Sequence, residues 1–495
     1  MAIILLAACA STPKKSGSTK VEIEDGTPWV DPEAYRVVGV RRAIASRGPR
    51  PGVVVLRHAT VLTAAGQRIE DGTVVLDGGR LTAVGGADVV SPAGAEEVDA
   101  TGKFVTPGII DTHSHLGVYP SPAVDAHQDG NEMTGPVTAG SAAEYAYWPQ
   151  DPGIAHALAA GVTVAQILPG SANMIGGHGF VVEMRPGRTV DEIKLQGAPD
   201  TLKMACGENP KRVYGEKGGP MTRMAMYEQF RQQFAEAADY AVSQGVYKAK
   251  RKAWLERRAK AKELVAKKKA DGADAYVPAE EPPERPKRDA KLETLAKVLD
   301  GGIIVNVHCY RASDLEQMVR IADEAGFQIR SFHHALEAYK VRDLLISRGI
   351  AINTWADWWG FKMESLDGIP ENAALYTESG GRAVLHSDSG IEMQHLPAEA
   401  GKVWAAARAA GIPITEDQAL GWVTANAAWV LGIEKLTGTL EVGKRADVVV
   451  WDKYPLSIYA RPEQVYVGGA RLIDRRVGRP LTDFELGQSG IGGAP

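Results

Sequence analysis

The chain has 495 residues, 44% of them hydrophobic and 24% charged, with a net charge of −5 and a pI near 6.2. This balance is ordinary for a globular protein and supplies no basic face for nucleic acid. No apolar run reaches the roughly 18–20 residues a spanning helix needs, and three cysteines (Cys9, Cys206, Cys309) are too few for a disulfide framework, so packing is expected to hold the fold.

The chain begins with a short apolar run that ends Leu6-Ala7-Ala8-Cys9 and passes into a Ser/Thr/Lys/Gly stretch. The four residues resemble the lipobox of bacterial lipoproteins. Only eight residues precede Cys9, and none is Lys or Arg. Residues 1–26 are therefore read as a truncated lipoprotein signal and flexible tether. That places the protein on the bacterial cell envelope, anchored through Cys9 on its periplasmic or extracellular face. A chance apolar leader on a cytoplasmic protein is the alternative.

From Val53 the texture is β, with short Val/Leu/Thr runs broken by Ala-Gly, Asp-Gly and Gly-Gly. The same texture returns near the C-terminus in "GTLEVGKRADVVVWD" and beyond. Residues 53–105 and 437–485 are thus expected to build one composite β-sandwich. Residues 106–436 form the inserted middle. Strand-like runs fall there at 104–110, 162–168, 179–184, 201–205, 303–307, 328–332, 350–354 and 382–385, with helical stretches such as "ASDLEQMVRIADEAG" between most of them. Eight such runs with helical crossovers imply an α/β fold, a (β/α)8 TIM barrel flanked by the composite β domain. A doubly wound sheet is the rival, but no G-x-G-x-x-G follows an early strand. A basic helical insertion occupies about 245–290. Its stretch Gly245–Ala270 carries eleven Lys/Arg against two Glu, as a solvated helix would; the sharper reading is contact with an anionic lipid or polymer.

In a barrel, chemistry gathers at the C-terminal ends of the strands. His113 and His115 end the first run, His308 the fifth, His333 and His334 the sixth, and Asp388 the eighth. Imidazole and carboxylate suit a divalent ion such as Zn2+, which lowers the pKa of a bound water from about 15.7 toward 7. A carboxylate beside that water can take its proton and pass it to a leaving nitrogen, the double duty assigned to Asp388. His58, His127, His156 and His395 lie outside the pattern and are read as ordinary polar residues.

Asp111-Thr-His113-Ser-His115, His308, His334, Asp388 in "SDS" and the closing "GTLEVGKRADVVVWD" together resemble the metal-dependent amidohydrolase superfamily, in particular its imidazolonepropionase-related and prolidase-like branch. The resemblance runs from about Val53 to Leu472. It implies a hydrolase of amide-type, non-peptide or dipeptide-like C–N bonds, acting through metal-bound hydroxide. The implied metal ligands are His113, His115, Lys203, His308, His334 and Asp388, holding one or two ions, with Lys203 a candidate for carboxylation into a bridge. His333 and His386 then support the site, and Asp111 is buried behind it.

The pocket is assigned to His178 in a Gly-rich loop (174–180), Tyr310, Arg311 as a carboxylate binder, and Trp358; Cys206 and Cys309 are small core residues. The partner is a small amide or peptide-like molecule, not nucleic acid, and a homo-oligomer is left open. Two other classes stay in view: a silent scaffold that keeps the fold, and an ester or phosphoester hydrolase on the same site.

Overall fold

The computed structural model describes residues 51–121, 123–277 and 279–477, with one short antiparallel pair nearer the N-terminus, β1 (Val21–Glu22) and β2 (Pro28–Trp29). Cys9, with residues 1–20 and 23–26 of the expected signal and tether, and residues 478–485 lie outside the described residues. The chain divides into two compact units, one of residues 43–241 and 288–495, the other of residues 1–42 and 242–287.

The larger unit contains two sheets. One takes strands from both flanks: β3 (Val54–Leu62), β4 (Arg68–Asp77), β5 (Arg80–Gly85), β6 (Glu96–Asp99) and β7 (Phe104–Pro107) from the first. In the other sheet lie β8 (Ile109–Ser114), β9 (Val162–Ile167), β10 (Ile175–Glu183), β11 (Thr201–Ala205), β12 (Ile304–Cys309), β13 (Ile329–His334), β14 (Ala351–Thr354) and β15 (Ala383–Leu385). The second flank then returns to the first sheet as β16 (Val448–Trp451), β17 (Pro462–Val467) and β18 (Ala470–Asp474).

The two flanks meet where β16 pairs antiparallel with β7, Val448 opposite Pro107 and Trp451 opposite Phe104. The flank order is β18-β17-β16-β7-β3-β4-β5, with β6 also on β3. Leu56, Val61, Val74 and Val105 from one end bury against Val448, Val450 and Tyr466 from the other, so neither flank has a complete core alone.

The remaining eight strands run in order from β8 to β15 and nearly close into a barrel. Closure is seen where the Asp388 N–H donates to the His113 carbonyl at 2.8 Å. Strands β9, β11, β14 and β15 are buried at every residue, which explains their unbroken apolar texture. One strand departs from the expected pattern. β10 is antiparallel to both β9 and β11. Seven residues separate β9 from β10, too few for the dozen or more of a parallel crossover, so the chain turns back instead. The Gly-rich segment expected as a loop is therefore mostly strand, and the turn before it sits at the same rim as the other strands' C-terminal ends.

A 48-residue helix, Arg223–Ala270, begins in the larger unit. Met226, Tyr227, Phe230, Phe234 and Ala237 are buried at helical spacing in its first part. In the smaller unit Tyr247, Trp254 and Arg258 are buried, and the Trp254 indole donates to the Glu280 carbonyl at 3.1 Å. No helix among the described residues is long and apolar enough to cross a membrane.

The cysteines require a correction. Cys206 and Cys309 are bonded to each other rather than packed as separate thiols. Ladder register is the reason. Ala205 pairs with His308 across β11 and β12, which brings the next residue of each strand within reach, Cα to Cα 5.3 Å.

Candidate active site and metal centre

The barrel interior narrows to a polar layer beneath the rim. Lys203, Asn306 and Ser331 are ladder partners on β11, β12 and β13, all fully buried. Two residues further along β12 and β13 the same face carries His308 and His333. His334 would point outward if β13 continued, but its φ of 71° breaks the strand and turns the ring to the centre. Asp388 likewise has φ 55°. Non-glycine residues in this region each cost on the order of 1–3 kcal/mol, so the rest of the fold holds two of the site's side chains against a local preference.

The groups meet closely. Asp388 Oδ1 lies 3.1 Å from both His113 Nε2 and His115 Nε2, and Oδ2 lies 4.0 Å from His334 Nε2. The His308 and His334 rings pack edge to face at 4.3 Å. Lys203 Nζ sits 3.0 Å from His113 Nε2 and donates to the Pro169 carbonyl at 3.2 Å. Asp111, fully buried, accepts from the His113 N–H at 3.1 Å and the Ser387 N–H at 3.2 Å, fastening the first strand end to the last. Burial raises its carboxyl to about 7.

Electrostatics keep the ring nitrogens bare. Burial first, and the Lys203 charge with it, hold His113, His308, His333 and His334 well below the ordinary histidine range. Burial also drops His386 to about 3 and Lys203 to about 8.

The hydrogen bonds then assign the tautomers. His115 Nδ1 faces the Leu168 carbonyl at 2.9 Å, an acceptor, so Nδ1 carries a proton and Nε2 is the nitrogen turned to Asp388 Oδ1. Ser331 gives its one hydroxyl proton to Asn306 Oδ1 at 2.9 Å, so His333 Nε2, 3.1 Å away, donates to Ser331. His333 Nδ1 is then an acceptor, and takes the proton of His113 Nδ1 at 3.0 Å. His113 Nε2 is then an acceptor, with the Lys203 ammonium 3.0 Å away as its donor. The Nε2 atoms of His113 and His115 thus converge on one Asp388 oxygen at 3.1 Å, a donor set that a shared cation would suit. Among the described residues, both His334 nitrogens and His308 Nδ1 have no hydrogen-bond partner, an unmet demand for buried groups. The residues fit a divalent cation: His113, His334 and Asp388 bring ligand atoms within 4.8 Å of one another, as do His113, His333 and His386.

The last of these sets was not expected from sequence, where His333 and His386 had only supporting parts. The relay makes His333 a positioning residue for His113. His333→Leu is expected to weaken divalent-metal affinity about 10–100-fold, read by competition with a chelator, while Ser331→Ala, which keeps the ring, costs less. Equal affinity in His333→Leu and the parent would refute the relay.

The expected pocket residues separate into two groups. Tyr310 is 4% exposed and stacks on His334 at 5.0 Å, and no partner among the described residues accepts from its phenol. Trp358 stacks on Trp355 at 5.3 Å, and Trp355 in turn lies on His334 at 4.4 Å. His178 is not brought in. On β10 it pairs with Leu202, whose side chain alternates outward from that of Lys203, and its Nε2 meets Thr294 Oγ1 at 3.0 Å on the helix Ala290–Leu299. Arg311 is exposed, just before the helix Ala312–Ala325. The cation that does reach this wall is Lys362, whose Nζ lies 4.0 Å over the Tyr310 ring. Its only sequence signal was its place just after "TWADWWGF".

Fold and donor set together define a barrel hydrolase with a metal-type centre at its mouth. A model of the Amidohydrolase family matches residues 104–474, and the chain belongs to that family. It is 34% identical over 420 residues to amidohydrolase tasK of Hapsidospora irregularis, covering 81% of this chain but only 40% of that relative's length. Imidazolonepropionase of Mesorhizobium japonicum is 25% identical over 445 residues, 87% of this chain and 98% of the relative. The crystal structure of an amidohydrolase from Thermotoga maritima MSB8 is similar over 85% of this chain and all of its own, with a TM-score of 0.71 and 33% identity.

Proposed function

We propose that the chain is a metal-dependent hydrolase of amide-type C–N bonds in small molecules. The observation that carries this reading is the convergence of the His113 and His115 Nε2 atoms, each 3.1 Å from one Asp388 oxygen. His113, His115, His308, His334 and Asp388 would hold the cation, with zinc the candidate that the His/Asp donor set suits. When bound, such a cation polarises a carbonyl and acidifies a water. Asp388 takes the proton of the attacking water and delivers it to the leaving nitrogen, both within reach of a carboxylate at the rim. Tyr310, with its phenol unpartnered, donates toward the carbonyl oxygen as charge develops there. Lys203, carboxylated at Nζ, would supply oxygen ligands to such a centre if it holds two ions. A buried amine lowered by its surroundings has the free base that reaction with CO2 requires.

The test is a hydrolysis screen of metal-analysed protein with N-acyl amino acids, dipeptides and lactams, with esters and phosphoesters alongside. Amide turnover that chelation removes and zinc restores is the expected result. Turnover confined to esters or phosphoesters, or full amide turnover in metal-stripped protein, would sink the reading. Bicarbonate that raises metal loading in the parent but not in Lys203→Met is the expected mark of the carboxylated lysine; no effect on either removes it.

We also propose a lipid anchor at Cys9 and an envelope location. Leu6-Ala7-Ala8-Cys9 supports it, and so does the Cys206–Cys309 disulfide, since such bonds persist in oxidising compartments. Recovery of the native protein in the soluble fraction, without lipid, would refute it.

A further inference from the structure

We propose that Lys362 binds a carboxylate of the substrate, so that the molecule cleaved is an N-acyl amino acid or a dipeptide with a free C-terminus. This rests on the reading that the site hydrolyses an amide. The ammonium has three donors. One goes to Asn209 Oδ1 at 3.0 Å, and Glu208 Oε1 stands off at 3.9 Å, beyond hydrogen-bond distance. A second direction faces the Tyr310 ring at 4.0 Å, which leaves one donor for an incoming acceptor. The side chain is only 15% exposed, so a carboxylate arriving there would bind in a partly water-excluded place, where a charge-assisted bond is stronger.

The location suits this job. Asn209 bridges the ammonium to the metal-type centre, its Nδ2 lying 3.5 Å from His308 Nε2. The single Asn209 side chain therefore spans the gap between the ammonium and the His308 ring. The loop that carries Lys362 is held before any ligand arrives. The Lys362 N–H donates to Ser365 Oγ at 3.2 Å, and that hydroxyl donates back to the Lys362 carbonyl at 2.9 Å. Glu364 accepts from the Glu208 N–H at 2.9 Å and pairs with Arg223, which also grips Asp314 at 2.7 and 2.8 Å. Beside Lys362, Trp358 and Phe361 are 38% and 57% exposed, an apolar wall for the amino acid's side chain.

The experiment compares N-acetyl-L-phenylalanine with its C-terminal carboxamide on metal-replete protein, measuring acetate release. The expected result is at least about a tenfold preference in kcat/KM for the free acid, lost in Lys362→Met and retained in Lys362→Arg. Equal cleavage of acid and carboxamide by the parent, or an undiminished preference in Lys362→Met, overturns the assignment while amide hydrolysis stands. If neither compound is cleaved, calorimetry with the same two compounds on Asp388→Asn protein decides Lys362 independently of turnover. Tighter binding of the acid that Lys362→Met abolishes supports the carboxylate site, and equal binding refutes it.

Discussion

Asp388→Asn is expected to lower kcat/KM on any amide substrate by about 10²–10⁴-fold, the range for loss of a positioned general acid–base. The substitution is nearly isosteric and still offers an oxygen where Oδ1 lies 3.1 Å from His113 and His115. What it removes is the charge and the ability to accept and return a proton. It also separates chemistry from folding. Asp388 has φ 55°, a region asparagine enters with comparable ease, so the backbone is not further strained. The thermal midpoint should therefore stay near that of the parent while turnover collapses. A variant retaining turnover within about tenfold of the parent would show that the proton moves through another group.

The barrel was legible because its strands are short apolar runs, most of them buried on both faces, and each of the eight expected runs meets an observed strand. The meeting of the candidate side chains was legible for a related reason: in a barrel, residues dozens of positions apart in sequence converge if each ends a strand. His113, His115, His308, His334 and Asp388 do so.

The misses have local causes. The path of residues 174–180 could not be read from composition, because "MIGGHGF" fits a loop or an antiparallel strand; only the seven-residue connection excludes a helical crossover. That choice decides where His178 points, and reversing the strand took it from the rim to the outer face. Arg311 was favoured because it follows His308 closely, yet the helix begins there and carries it to solvent. Lys362 sits in a loop whose path depends on Glu364, Arg223 and Asp314, two of them from distant segments. No spacing in the sequence links them. The preference for His334 over His333 came from a motif, whereas the physical reason is the positive φ that turns the second ring inward.

Reduction of the Cys206–Cys309 bond is expected to destabilise the larger unit by about 2–5 kcal/mol, read as a lower urea midpoint in the presence of a reductant. The bond closes a segment with a sequence separation of 103, long enough for a large loss of freedom in the unfolded chain. It also clamps the site. Cys206 lies three residues beyond Lys203, its N–H donates to the His308 carbonyl at 2.8 Å, and Cys309 is the ladder partner of His334. Opening the bond loosens the main chain beneath three of the residues read as ligands. It also frees two thiols beside a metal-type centre, where thiolate would compete with imidazole for a zinc-like ion. Pairing the sulfurs keeps them out of the donor set. The Cys206→Ala/Cys309→Ala double variant should start from the lower midpoint and ignore the reductant. A parent protein whose midpoint and metal content are both unchanged by reductant, with free thiols verified by labelling, would show that the clamp contributes nothing.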